Sequence, residues 1–295
     1  MNAFDYRAPR TVDEALMTLH EHGEDARVIA GGTALVTMMR QHLVRPTCLV
    51  SLRDVEGLGG IEAPDGAVRI GALVTLRDLE VSPLVRERLP VLAETCRRVA
   101  TVRIRHMATL GGGLAHGDPN QDPPVTLIAL GATVATRRRS GQREVPLDAF
   151  FRDYYETVLE PGELVTGVTI PLPAAGRGTA FVKFLPRTAD DYATVVVAAT
   201  VTLDADGGRC RDARIALGAV GVTPLRARTA EAIVAGERID EDVRRAAAEA
   251  VKGEVDPVSD HRGSAAYKRE MAGVMVSRAL AQAEELARDA TRALR

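Results

Sequence analysis

The sequence predicts an α+β protein of two or three lobes that ends in an antiparallel sheet backed by helices. Short β-runs alternate with helical stretches through the first half of the 295 residues. Later, two apolar β-runs, "ATVVVAATVTLD" and "CRDARIALGAV", are joined by the turn "ADGG", which marks a hairpin rather than a crossover. Three helical segments then finish the chain. A hydrophobic fraction of 46% at this length supports a sizeable core and more than one lobe.

The first lobe, about residues 1–57, opens with a helix over 11–21. Thr11 and Glu14 make a capping box, Gly23 is the stop, and Val12, Ala15, Leu16 and Leu19 form the buried stripe. "ARVIAGGT" is a strand and turn, Leu35, Val36, Met38 and Met39 suggest a short helix, and "TCLVSL" is a second strand: a β–α–β unit.

The second lobe, about 58–174, begins with the strand "AVRIGALVTL". A helical stretch follows, broken near Ser82-Pro83. "TLGGGLAHGDPNQDPP" is expected as one long loop. "VTLIALGATVATRRRSGQREVPL" is a short helix and then a hairpin turning at Ser140-Gly141, and "ELVTGVTIPLP" is the closing strand. "PLPAAGRG" has linker composition. The last section, 178–290, opens with "TAFVKFLPR", and its final helix carries Tyr267, Met271, Val274, Met275 and Leu280 on one apolar face.

Composition removes several function classes. The net charge of -2 does not suggest a nucleic-acid or anionic-membrane surface. No apolar run reaches the length of a membrane span, and the N-terminus lacks a signal-peptide layout. Cys48, Cys96 and Cys210 form no CxxC pair, which argues against an iron–sulfur or zinc site built from this chain alone. A reduced, cytoplasmic protein is expected.

Two glycine-rich stretches are the candidates for chemistry. At Gly31-Gly32-Thr33 the bare backbone suits either a tight strand-to-helix turn or an anion held by converging N–H groups. The spacing is not the GxGxxG of dinucleotide-binding folds. In "TLGGGLAHGDPNQDPP" three glycines, Thr109 and two aspartates offer donors for a diphosphate and acceptors for ring or ribityl groups; the alternative is a surface loop held by Asx-turns at Asp118 and Asp122. His116 reads first as a loop hydrogen-bonder. Arg97, Arg98, Arg103 and Arg105 read as a solvated helix face, with Arg105 nearest the loop; Arg137 to Arg139 face water beside the hairpin turn.

Two such loops could clamp one diphosphate, and here a resemblance emerges. "AGGTALVTMMR" resembles an AGGT/S-D-L signature, and "IRHMATLGGGLAHGDPNQDPPVTLIALGA" resembles an IRN-x-x-TIGGN-(x)n-DP-(x)n-D-x-P signature. Both belong to the FAD-binding medium subunit of molybdenum hydroxylases of the carbon monoxide dehydrogenase and xanthine dehydrogenase type. The likeness continues collinearly through "VKFLPRTADDYATVVVAATV", "ALGAVGVTPLRARTAEAIVAG" and "DHRGSAAYKREMAGVMVSRAL".

The resemblance implies a two-lobed FAD-binding fold of the vanillyl-alcohol-oxidase (PCMH) type over 1–174, with a C-terminal α+β flavoprotein domain over 178–290 covering the isoalloxazine side. Carried over by position, Ala30, Gly31, Gly32, Thr33 and Ala34 match the first diphosphate loop, with Leu35 following it. Thr109, Gly111, Gly112 and Gly113 match the second loop. Asp118 and Asp122 match its aspartates, and Lys183 and Tyr192 match the residues near the flavin. Arg105 and His116 complete the cofactor-binding set, and no catalytic or metal-binding residue is expected. Ala34 stands where the family usually has Asp or Ser, and Gly113 where it has Asn or Asp; each removes a side-chain hydrogen bond.

The resemblance further implies a non-covalently held FAD, a molybdopterin-containing large subunit and a 2Fe-2S small subunit as partners, and NAD, quinone or dioxygen as electron acceptor. Two alternatives stand beside it: a standalone FAD-dependent oxidoreductase acting on a small molecule, and a degenerate partner-binding module without flavin.

Overall fold

The structure, a computed structural model, describes residues 3–64, 66–173, 175–188 and 190–293. The expected boundaries at residues 1 and 174 therefore lie outside the described residues.

In the first lobe, strand Cys48–Ser51 lies between Asp5–Arg7 and Ala26–Ile29, all parallel. Helix Val12–His22 covers this sheet. Its capping box forms as the Thr11/Glu14 spacing predicts, and Val12, Ala15, Leu16 and Leu19 pack on Ala26, Cys48 and Val50. Strand Asp5–Arg7 is an addition to the expected β–α–β unit. Its three residues are all exposed, so it carries no buried pattern for a sequence reading to find.

The second lobe is a five-stranded antiparallel sheet ordered Ile61–Glu62, Ala67–Gly71, Leu164–Pro171, Thr133–Arg138, Gly141–Pro146. The hairpin turn falls on Arg139 and Ser140, one residue earlier than expected, because Gly141 already pairs with Arg138. The helical stretch breaks at Ser82-Pro83 as expected and again at Leu89-Pro90, giving helices Leu76–Val81, Pro83–Arg88 and Pro90–Arg97.

The stretch 109–124 is a correction: it is not one loop. Helix Leu110–His116 starts at Thr109, whose hydroxyl accepts from the Gly112 amide, and ends at Gly117 in the left-handed conformation. Asp122, Pro123 and Pro124 already form the first turn of helix Asp122–Leu130. Only 117–121 remain irregular. Proline is at home in a first helical turn, where its missing N–H has no partner to lose.

The last section is a four-stranded antiparallel sheet, Arg177–Phe184, Val195–Leu203, Cys210–Gly218 and Leu225–Arg226, with the 28-residue helix Ala265–Arg292 on one face. Strand Val195–Leu203 is buried at all nine positions. One side of it joins Met275, Val276, Ala279 and Leu280 of the long helix. Val196 and Ala198, on the other side, join Val125 and Ile128 of the second lobe. Burial on both faces explains why this run is continuously apolar. On the long helix Met275 and Leu280 are buried as expected, but Tyr267 and Val274 are exposed.

Candidate functional site

Every candidate cofactor-binding residue except Arg105 lines one cleft of about 1590 Å³ between the first two lobes, closed at one end by the C-terminal sheet. That exceeds the roughly 300–1,000 Å³ of ordinary small-molecule sites and suits a long ligand.

The middle of the cleft is where the two loops meet. A Cβ on Gly31 would overlap the carbonyl oxygen of Met107, so this glycine lets the lead-in to the second loop cross directly over the first. Gly32 has φ 71°, a conformation that disfavours side chains. Ala34 then begins helix Leu35–Arg40 with no side-chain cap. Among the described residues, the amides of Gly32, Thr33, Ala34 and Leu35 find no protein acceptor. Four free N–H groups in succession are suited to an anion.

The second loop works differently from the sequence expectation. Its amides are already used: Leu110 N donates to Val74 O, Gly111 N to Ala72 O, Gly112 N to Thr109 Oγ1 and Gly113 N to Thr109 O. A Cβ on Gly111 would lie 2.9 Å from Ala72 O and 2.8 Å from Ala72 Cα, so this glycine serves helix-to-strand packing. A Cβ on Gly112 would lie 3.5 Å from Ala30 Cβ, which places the two loops face to face. The second loop thus contributes a side-chain-free wall, and the first contributes the donors.

At Gly113 a residue that the sequence reading missed becomes visible. Gln121 Nε2 donates to Gly113 O at 2.9 Å, and Gln121 Oε1 lies 2.7 Å from where a Cβ on Gly113 would stand. The glutamine occupies the space left by the missing side chain.

Where the C-terminal sheet meets the cleft, a buried ion pair forms. Lys183 Nζ, on strand Arg177–Phe184, donates to Asp122 Oδ2 at 2.7 Å and to Arg98 O at 3.0 Å. Both side chains of the pair are at most 4% exposed. Burial pushes the Asp122 carboxyl up to about 6, against the opposing Lys183 ammonium. Asp122 Oδ1 is buried and, among the described residues, receives no hydrogen bond. Asp118 is buried too: its Oδ1 accepts from Asn120 N, the expected Asx-type bond, and its Oδ2 accepts from the Tyr192 hydroxyl at 3.0 Å. Burial and the Asp118 charge push the Tyr192 phenol up, and the Arg262 guanidinium lies 5.4 Å from its ring centroid.

His116 packs its ring 5.0 Å from that of Tyr155. Burial depresses its pKa, with Asp118 opposing. Tyr155, which also lines the cleft, has φ 55° and donates its amide to Gly117 O. A positive φ on tyrosine is a product of tertiary packing, and "DYYE" carries no local sign of it. Leu16, Leu19, His20, Arg138 and Glu160 also line the cleft, and the last two pair with each other.

Arg105 stands apart. Its guanidinium is buried against Glu80 at 2.9 Å and donates to the carbonyls of Val99 and Ala100. It is neither solvated, as its helix position suggested, nor in the cleft.

FAD fits these residues. The row of unpaired amides at 32–35 suits its diphosphate, and the orphaned Asp122 oxygen suits a ring N–H. Residues 2–173 match the family model described as FAD binding domain in molybdopterin dehydrogenase, and residues 180–283 match CO dehydrogenase flavoprotein C-terminal domain. The chain is 39% identical to the carbon monoxide dehydrogenase medium chain of Afipia carboxidovorans over 97% of this chain and 99% of the relative. It is 38% identical to subunit alpha of the 6-hydroxypseudooxynicotine dehydrogenase complex of Paenarthrobacter nicotinovorans, covering 97% and 96%. The solved carbon monoxide dehydrogenase of Hydrogenophaga pseudoflava contains a chain that superposes with a TM-score of 0.93 at 40% identity, covering 96% and 97%. With a two-lobed cleft that fits FAD and family models matched over residues 2–173 and 180–283, the chain belongs to the FAD-binding medium-subunit family of molybdenum hydroxylases and is an oxidoreductase subunit.

Proposed function

We propose that this chain is the electron-transfer flavoprotein of a heteromeric molybdenum hydroxylase. It takes electrons from a 2Fe-2S small subunit, which drains a molybdopterin-containing large subunit, and passes them to an external acceptor: NAD, quinone or dioxygen. The observation that carries this is the buried Asp122–Lys183 pair, which joins the FAD-binding lobes to the C-terminal sheet at one end of the cleft.

FAD, when bound, supplies a redox centre able to exchange electrons singly or in pairs. The protein's own part is binding and tuning. Gly32 to Leu35 bind the diphosphate through backbone N–H groups. Asp122 Oδ1 would orient the ring, Lys183 holds that carboxylate in place, and Tyr192, fixed by Asp118 and Arg262, would lie against the flavin. In this reading residues 1–174 form the FAD-binding unit and 178–290 cover its flavin end. The three cysteines are free and buried, which supports a cytoplasmic location.

The relatives' names refer to carbon monoxide in one case and a hydroxylated pseudooxynicotine in another, at nearly equal identity to this chain. That supports assigning substrate choice to another subunit. The test is anaerobic flavin bleaching. The isolated, FAD-loaded chain is expected to bleach with dithionite and with no organic substrate, whereas the co-purified three-subunit complex bleaches with its substrate. An isolated chain that oxidises an organic substrate stoichiometrically would establish the standalone oxidoreductase instead.

A further inference from the structure

Arg105 and Glu80 form a buried ion pair outside the cleft, 11% and 8% exposed at their side chains. Arg77 also reaches Glu80, at 2.8 Å. A buried pair of this kind is a poor source of net stability, because desolvating both charges offsets most of their attraction. What the pair does is visible in its remaining hydrogen bonds. Arg105 Nη1 donates to Val99 O at 2.9 Å and to Ala100 O at 2.8 Å.

These two carbonyls belong to an unusual turn. Ala100 has φ 40°, strained for a residue with a Cβ, and persists only if its surroundings hold it. Val99 and Ala100 line the cleft. The preceding residue, Arg98, ends helix Pro90–Arg97, and its carbonyl accepts from Lys183 Nζ. The position of the Arg98 carbonyl therefore depends on the turn that Arg105 grips. Lys183 rests between that carbonyl and Asp122 Oδ2, so a shift of the turn moves the ammonium relative to the carboxylate.

We propose that Arg105 and Glu80 are positioning residues: a buried clamp that holds the strained 98–100 turn and thereby fixes Lys183 against Asp122 at the flavin end of the cleft. The link to flavin rests on the function proposed above; the link to Lys183 and Asp122 does not. A guanidinium is required because one rigid fork must satisfy Glu80 and two carbonyls together, which a lysine ammonium cannot reproduce in the same geometry.

The test uses the full chain with Arg105→Lys and Glu80→Gln. The first readout is the titration of the Asp122 carboxyl carbon by ¹³C NMR in flavin-free protein. Its midpoint is expected to rise in both variants, as the nearby positive charge loosens, with thermal unfolding confirming a folded state. The second readout is the visible spectrum and reduction potential of added FAD, both of which are expected to shift. A clamp with only a structural role would lower the unfolding temperature and leave the Asp122 midpoint and flavin potential at their wild-type values; that result overturns the proposal. If the midpoint rises while neither wild type nor variant takes up FAD, the clamp stands and the flavin reading falls. If Arg105→Lys does not fold, the near-isosteric Glu80→Gln decides by the same two readouts.

Discussion

Gly31 and Gly32 are neighbours with different requirements. At Gly31 the obstacle is the Met107 carbonyl, part of the backbone and unable to move aside. Gly31→Ala is therefore expected to separate the two loops and yield little folded protein. At Gly32 the obstacle is a φ of 71°, which for alanine costs about 1–2 kcal/mol. Gly32→Ala is expected to stay folded by circular dichroism while its FAD affinity falls, read by flavin fluorescence. Equal FAD affinity in Gly32→Ala and wild type would contradict the role given to the first loop. Lys183→Met makes a second test. It leaves Asp122 buried without its cation, a loss of about 3–5 kcal/mol when the carboxyl is ionised. The folded-state value of Asp122 already lies above its ordinary 3.8, at about 6, and rises further without Lys183. A raised carboxyl favours the folded state when protonated, so its stabilising effect is lost as pH rises through that value. The variant is thus expected to be strongly destabilised at neutral pH and largely rescued near pH 5, as followed by thermal unfolding.

Helix Leu110–His116 shows what local sequence could and could not reveal. Three consecutive glycines oppose helix formation by about 1 kcal/mol each, so "TLGGGLAHG" reads as a loop. The helix exists because the Thr109 hydroxyl caps it and because its bare face packs on Ala72. Thr109→Ala is expected to cost about 1 kcal/mol. It should also weaken FAD binding as the Gly112 wall loosens; urea unfolding and FAD titration measure the two effects separately. By contrast, helix Val12–His22 and the hairpin of Thr133–Arg138 with Gly141–Pro146 were legible, since their caps, stripes and turns involve residues a few positions apart. The Asp122–Lys183 pair spans 61 residues, and no spacing rule reaches it; the family resemblance put Lys183 near the flavin and Asp122 in the second loop without joining them. Arg105 was misplaced for a related reason. Its helix of four residues shows no amphipathic face from which burial could be read.

Across the whole molecule, the cleft is lined by two charged networks. The buried Asp122–Lys183 pair lines it where the C-terminal sheet meets the lobes, and a network around Glu163 lines it elsewhere. Burial alone would raise the Glu163 carboxyl, but Arg143, the Glu160 amide and the Thr136 hydroxyl together outweigh it and hold the group down to about 2. A depressed carboxyl contributes stability above its ordinary value of 4.5 that is lost as pH falls toward 2. Glu163→Gln is therefore expected to be less stable than wild type at neutral pH and to show a flatter loss of stability on acidification, measured by urea unfolding at several pH values. The direction in which FAD lies in this cleft is tested most directly by a crystal structure of the chain with FAD bound. The diphosphate is expected within hydrogen-bonding distance of the Gly32 to Leu35 amides, with a ring N–H on Asp122 Oδ1 and the adenine toward Arg138 and Glu160. A flavin ring found at the Arg138–Glu160 end, or a diphosphate held away from residues 32–35, would contradict the account.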